Sequence, residues 1–166
     1  IVANKPLYAT LLAVAVFNIS IQIFMPYLIL YYTVSLNMDH YVLVMAPAIV
    51  LAAIFTAIWG RIYDKIRFRR SIIPSLALLG AGYVILFFCR ATGMVFIGSL
   101  LMMCGYLSGM AVFGARIRDL TPVGKSGMFQ GVRIFSQVLI PGVVGPFIGK
   151  TVLANAEKII NNDGTE

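Results

Sequence analysis

Charged residues are scarce in this chain, and acids are the scarcest. Lys, Arg, Asp and Glu make up 11% of its 166 residues, whereas a soluble domain carries about 25%. The 6 acids lie in links between apolar runs, at the ends of those runs or in the polar tail. Because no acid stands in the middle of an apolar run, carboxylate or metal catalysis inside a bilayer is not expected.

The usual nucleophiles and metal ligands are also nearly absent. The chain has 1 His, His40, and 2 Cys, Cys89 and Cys104, which fall in apolar runs without CxxC spacing. Such cysteines are typical of buried packing thiols. The sequence has no phosphate-binding loop and no Ser/His/Asp set. We therefore predict that the chain is not an enzyme and that it holds no cofactor and no metal.

Long apolar runs dominate what is present, with 60% of the residues hydrophobic. Runs of about 20 apolar residues recur, and each is long enough to cross a bilayer core of about 30 Å. The short alternating segments of a β-barrel are missing. We predict an all-α polytopic membrane protein. Residues 1–153 form a bundle of five transmembrane helices, at about 7–32, 41–59, 72–88, 94–115 and 128–153, and residues 154–166 form a polar tail.

The basic residues give the bundle an orientation. The most charged run, residues 60–70, carries 5 of the 13 Lys and Arg residues and is predicted to be a loop on the cytoplasmic side. Ten bases then lie inside and three outside. This predicts a multi-pass protein of the cell membrane with a cytoplasmic N-terminus and an extracytoplasmic tail at 154–166. The clusters between apolar runs explain the net charge of +7 without nucleic acid.

Small residues and prolines punctuate the predicted spans. Gly105 and Gly109 are four residues apart in the fourth span, as are Gly145 and Gly149 in the fifth. Small residues at this spacing allow helix backbones to approach closely in lipid. Prolines within the spans favour kinks.

Polar side chains at mid-depth are the candidate substrate-binding groups. Asn18 and Gln22 are four residues apart and so share a helix face. Tyr31 extends that side outward, and Gln137 stands near the middle of the fifth span. Amides both donate and accept hydrogen bonds, which suits a hydroxyl-rich solute. The alternative is that these groups only bond neighbouring helices.

The basic run has the pattern of a known signature. Gly60-x-x-x-Asp64-Lys65-x-x-x-Arg69-Arg70 resembles the G-x-x-x-D-[RK]-x-G-[RK]-[RK] sequence of the major facilitator superfamily. That signature links the second and third helices of each six-helix half, and here it links the second and third spans. The usual glycine before the basic pair is replaced, with Arg67 and Phe68 in that region.

Two further stretches are similar to the same superfamily. Residues 22–27 look like the opening helix of a C-terminal half. The late part of such a half is matched by Asp119-Leu120-Thr121-Pro122, Gly127, Phe129, Gly131, Arg133, Ile140-Pro141 and residues 145–149. The likeness is greatest to the glycoside–pentoside–hexuronide sugar:cation symporters. It implies helices seven to eleven of a twelve-helix secondary transporter, with a missing N-terminal half as partner and a sugar or glycoside, coupled to sodium or a proton, as solute.

The resemblance also implies a conformational latch at the inner surface. Asp64 stands at the inner end of the second span, where a carboxylate can accept hydrogen bonds from another helix's N-terminus. The expected set is Gly60, Asp64, Lys65, Arg69, Arg70, Asp119 and Arg133. The alternatives are a solvated loop that only sets the topology, and, for Arg133, a side chain that extends to the interface.

Two other classes of function remain open at this point. A polytopic membrane enzyme, such as a lipid-head-group transferase, would need interfacial acid or His clusters, which the sequence lacks. A membrane scaffold or sensor that does not transport would use the same helices.

Overall fold

A computed structural model describes residues 5–35, 37, 40–122, 124 and 126–154, and within these ranges the regular structure is helical. The α-helices are α1 (Lys5–Phe24), α2 (Leu28–Leu30), α3 (Tyr41–Phe88), α4 (Thr92–Leu120), α5 (Ser126–Ile134) and α6 (Ile140–Ala154). A 3₁₀ turn (Met25–Tyr27) joins α1 to α2, and π turns follow α2 (Tyr31–Ser35) and α5 (Phe135–Leu139).

Four continuous helical segments of the described chain are long and apolar enough to cross a membrane. They are Lys5–Val34, Tyr41–Phe88, Thr92–Leu120 and Gly127–Ala154. Their composition and length confirm the predicted all-α polytopic membrane fold. The predicted second and third spans both fall within α3, whose 48 residues far exceed the roughly 20 that one crossing needs.

A bend at Arg67 divides α3 into two arms that fold back on each other. Arg67 has φ 62° and ψ 173°, which interrupts the helix. At the far ends, Tyr41 stacks on Tyr32 with ring centroids 6.2 Å apart, and the adjacent Tyr31 donates a hydrogen bond to the backbone oxygen of Leu86. Because a straight helix would hold Tyr41 and Leu86 roughly 68 Å apart, these contacts require a hairpin. The described chain therefore has four long apolar helical segments, and the second of them folds back on itself at Arg67.

The predicted loop at residues 60–70 is wrong as to its secondary structure. All of these residues except Arg67 have helical geometry, so the first arm (41–66) and the second arm (68–88) meet at a single residue. Lys, Arg and Ile in this run have fair to good helix propensity, and no proline stands in it. Charge placed these residues outside the apolar runs, but charge alone does not unwind a helix.

Prolines within the helical segments do not interrupt them as Arg67 does. Pro26 lies in the 3₁₀ turn that follows α1, and Pro141 lies two residues after the π turn Phe135–Leu139. Pro141 lacks the N–H that an α-helix would direct to residue 137, so a wider turn is favoured just before it. Pro47 and Pro74 lie inside the arms of α3 without interrupting them.

The second arm of α3 packs tightly on α4. Gly82 lies against the Met102 backbone and Gly105 against the Leu79 backbone, so that a β-carbon at either glycine would clash. Between these contacts and the bend, the buried Ser108 donates a 2.9 Å hydrogen bond to Ser75. Small residues at these positions let two backbones meet where larger side chains would separate them.

A second close contact joins α1 to α6. Gly145 lies against Gln22, and a β-carbon at Gly149 would come within 2.6 Å of the Tyr27 ring. On another face of α1, the ring of Phe17 packs against Gly109 of α4. The predicted glycine pairs therefore lie at helix contacts. The predicted tail, apart from Ala154, lies outside the described residues.

Arg67 offers a direct test of the bend. A positive φ with ψ near 180° is populated almost only by glycine and costs other residues about 1–3 kcal/mol. Arg67→Gly should therefore stabilise the protein by about 1 kcal/mol. Arg69→Gly, at an exposed helical position two residues later, should destabilise it by about 1 kcal/mol. Unfolding in mixed micelles followed by circular dichroism measures both, and equal destabilisation by the two substitutions would contradict the bend.

Candidate functional site

The bend of α3 meets the last turns of α4 and forms a charged cluster. Tyr63, in the last turn before the bend, is buried and donates a 3.0 Å hydrogen bond to Oδ2 of Asp119. Phe68, just after the bend, packs on Phe113 with ring centroids 5.6 Å apart. The two arms therefore contact the same end of α4 from either side of Arg67.

Positive charge surrounds this contact. The guanidinium carbon of Arg116 lies 5.6 Å from the centre of the Phe68 ring, a cation–π distance. A cavity of about 270 Å³ is lined by Tyr63, Asp64, Arg67, Phe68, Arg116 and Asp119. An adjoining cavity of similar volume is lined by Gly60, Tyr63, Asp64, Ala111, Val112, Ala115 and Arg118. Asp64 borders both cavities, with its side chain exposed.

Some of the predicted latch residues come together at this cluster. Gly60, Asp64 and Asp119 line the two adjoining cavities. Lys65, Arg69 and Arg70 are exposed on the helical turns around the bend.

Arg133 lies elsewhere, beside Gly114 on another face of α4. Its Nε donates a 2.9 Å hydrogen bond to Oε1 of Gln137. Arg133 and Gln137 therefore form a pair of their own.

Tyr63 is the member of this cluster that sequence reasoning missed. Its position directly before Asp64, on the helix that carries the signature, was visible. Its partner Asp119 is 56 residues away, so only the hairpin brings the two together. An aromatic residue with a polar tip at a span end usually serves as an interfacial anchor, which gave no reason to single it out.

The predicted substrate groups are spread along the bundle. Asn18 is buried and donates a 2.9 Å hydrogen bond to the backbone oxygen of Val14. Gln22 is partly buried where α1 meets Gly145 of α6. Tyr31 lies beyond them, nine residues after Gln22, in the π turn that follows α2.

Tyr31 borders the apolar spaces at that end of the bundle. One cavity of about 390 Å³ lies between the ends of α1 and α6, and another of about 510 Å³ lies against the second arm of α3. Asn18, Gln22 and Gln137 line neither of these cavities. Gln137 bonds Arg133 through its oxygen, and its amide nitrogen is buried without a partner among the described residues. The two cavities that Tyr31 borders are therefore lined by none of the other three predicted groups.

Metal-ligating residues do not cluster within the part of the chain that the structure describes. No group of three or more His, Cys, Asp or Glu side chains stands close enough there to hold an ion.

Comparison with known protein families shows the family to which the chain belongs. The family model described as Major Facilitator Superfamily matches residues 1–156. The chain belongs to this superfamily. Membership confirms the resemblance seen in the signature around Asp64 and makes the chain part of a membrane transporter family. No curated protein and no solved structure matches the chain.

The Tyr63–Asp119 bond predicts a measurable coupling within this superfamily member. Tyr63→Phe keeps the ring and removes the donor, so it should destabilise the fold by about 1 kcal/mol. Asp119→Ala removes the acceptor and should cost a similar amount. The double variant should cost less than the sum of the two.

The measurement is a double-mutant cycle of unfolding free energies in mixed micelles, with Tyr8→Phe, an exposed tyrosine of α1, as control. Strict additivity of Tyr63→Phe and Asp119→Ala would show that the two side chains do not interact.

Proposed function

We propose that this chain is the C-terminal half, helices seven to eleven, of a secondary transporter that moves a small polar solute by alternating access. The solute class that we propose is a sugar or glycoside, carried with sodium or a proton. The observation that carries the proposal is the arrangement at Arg67, where the signature residues Gly60 and Asp64 border a cavity that the end of α4 also lines. Membership of a transporter superfamily supports the general class.

The polar groups of α1 favour an uncharged, hydroxyl-rich solute. Asn18 and Gln22 carry neutral amides within the crossing Lys5–Val34, and amides both donate to and accept from hydroxyl groups. Both lie on α1, which contacts Gly145 of α6 through Gln22 and Gly109 of α4 through Phe17. A solute site formed by these amides would be completed by groups of the other half, since solutes in this architecture bind at the interface of two repeats.

Large apolar faces of the bundle are left for lipid and for that other half. Exposed side chains recur along the first arm of α3 and along α6, including Leu43 at 73%, Val143 at 67% and Phe147 at 71%. The lipid bilayer and a missing N-terminal half are the partners that we propose for these faces. The membrane proposed is the cell membrane.

The hairpin supports the proposed orientation. It brings the bases around the bend to the same end of the bundle as Arg116 and Arg118, because Tyr63 and Phe68 both contact the end of α4. A cluster of bases at one end favours the cytoplasmic side for that end. The N-terminus would then also be cytoplasmic, and residues 154–166 extracytoplasmic.

Asp64 is the proposed charge of the latch. It borders the cavities that contain Arg116 and Arg118, yet its side chain is exposed. An exposed carboxylate at this surface can accept hydrogen bonds from the N-terminus of a helix in the other half in one conformation only. An interaction made in one state alone shifts the equilibrium between states.

The transport cycle tests the proposal. In the full-length transporter, Asp64→Asn should leave folding and membrane insertion intact and reduce sugar uptake several-fold. An amide loses the charge that a helix N-terminus favours by about 0.3–2 kcal/mol, and 1.4 kcal/mol shifts a two-state equilibrium tenfold. Uptake of radiolabelled sugars into vesicles, with and without sodium or proton gradients, is the measurement.

The matched control is Arg61→Gln, which removes an exposed charge one turn before Asp64. It should transport at the wild-type rate at equal expression. Wild-type uptake by the Asp64→Asn variant would leave the charged bend with only a topological role. Absence of sugar uptake by the wild-type protein under every gradient would contradict the proposed solute.

A further inference from the structure

A third polar cavity lies on the side of α4 that faces α5. It has a volume of about 710 Å³, the largest among the cavities described above. Its lining includes Met110, Gly114, Arg118, Thr121, Gln130 and Arg133. None of its described lining residues is acidic. We call this cavity the α4–α5 cleft.

Arg133 is held in the cleft by its own helix. Its Nε donates a 2.9 Å hydrogen bond to Gln137, and its Nη2 lies 3.0 Å from the position that a β-carbon of Gly114 would take. Glycine at position 114 therefore makes room for the guanidinium. No described residue accepts a hydrogen bond from the two Nη groups, so four N–H donors remain for a ligand.

Arg133 lies within an apolar helical segment. The residue is partly buried and belongs to Gly127–Ala154, which is long and apolar enough to cross a membrane. A charged side chain within a membrane crossing is costly unless it meets a counter-ion or lines a polar cavity, and such residues mark functional sites. The two acids among the described residues lie on another side of α4: Asp119 accepts a hydrogen bond from Tyr63, and Asp64 borders the cavities on that same side.

Two further lining residues complete a donor set. Arg118 adds a second guanidinium at the inner end of α4, and Gln130 stands three residues before Arg133, on the same face of α5. Two guanidinium groups and an amide around one cavity match the oxygen atoms of a phosphate group, because a guanidinium donates two parallel hydrogen bonds to an oxyanion.

We propose that the α4–α5 cleft binds a phosphate group, held by Arg133 and Arg118. The group belongs either to a soluble phosphate or to the head group of an anionic phospholipid at the inner leaflet. This site is separate from the amides of α1 and goes beyond the proposed solute transport. It does not depend on sugar being the solute.

Calorimetric titration of inorganic phosphate into the purified protein in a neutral detergent tests the site. Arg133→Gln and Arg118→Gln should each weaken phosphate binding about tenfold, as expected for the loss of one charge-assisted contact. Arg118 is exposed, so its substitution tests the site even if Arg133→Gln fails to fold. The control Arg90→Gln, an exposed arginine between α3 and α4, should bind phosphate as the wild-type protein does.

Nanodiscs distinguish the two sources of phosphate. If a head group is the ligand, phosphatidylglycerol discs should raise the Tm of the wild-type protein above that in phosphatidylcholine discs, and Arg118→Gln should remove the difference. If the ligand is soluble, inorganic phosphate should raise the Tm in phosphatidylcholine discs. Either result supports the site. The proposal is overturned if neither phosphate source gives a shift, or if Arg118→Gln and Arg90→Gln respond alike.

Discussion

The close contact between the second arm of α3 and α4 is the constraint on which the rest of the structure depends. Gly82 and Gly105 allow the two backbones to touch, and the Ser75–Ser108 hydrogen bond lies between that contact and the bend. In lipid, apolar surface gives little driving force for helix association, so close packing and interhelical hydrogen bonds decide it. Once this pair is fixed, the bend at Arg67 determines where the first arm lies.

The C-terminal end of α4 consequently has two polar sides. One side meets the bend, where Tyr63 bonds Asp119 and Asp64 stays exposed. The other faces α5, where Arg133 is held by Gln137. Arg118 borders cavities on both sides. A shift of α4 relative to either neighbour would therefore change both the charges around Asp64 and the shape of the α4–α5 cleft.

Much of the fold could be predicted from the sequence. Backbone N–H and C=O groups in lipid must form their hydrogen bonds within the segment, so long apolar runs fold as helices. The glycine pairs likewise predicted helix contacts, and Gly105 and Gly145 lie at them. The prediction of a loop at residues 60–70 was wrong, because charged residues mark the membrane boundary without unwinding a helix. The Tyr63–Asp119 and Arg133–Gly114 contacts were beyond prediction, because each depends on how helices distant in sequence rotate against one another.

The hairpin itself is the claim that a single distance tests most directly. Spin labels at Val42 and Phe87, which are 57% and 80% exposed, can be placed in a variant with Cys89 and Cys104 replaced. Pulsed electron–electron double resonance in nanodiscs should give a distance between the two labels of about 15–35 Å, since helices pack 8–10 Å apart. A distance near 68 Å, the length of a straight helix over this stretch, would contradict the bend at Arg67 and with it the charged cluster at the end of α4.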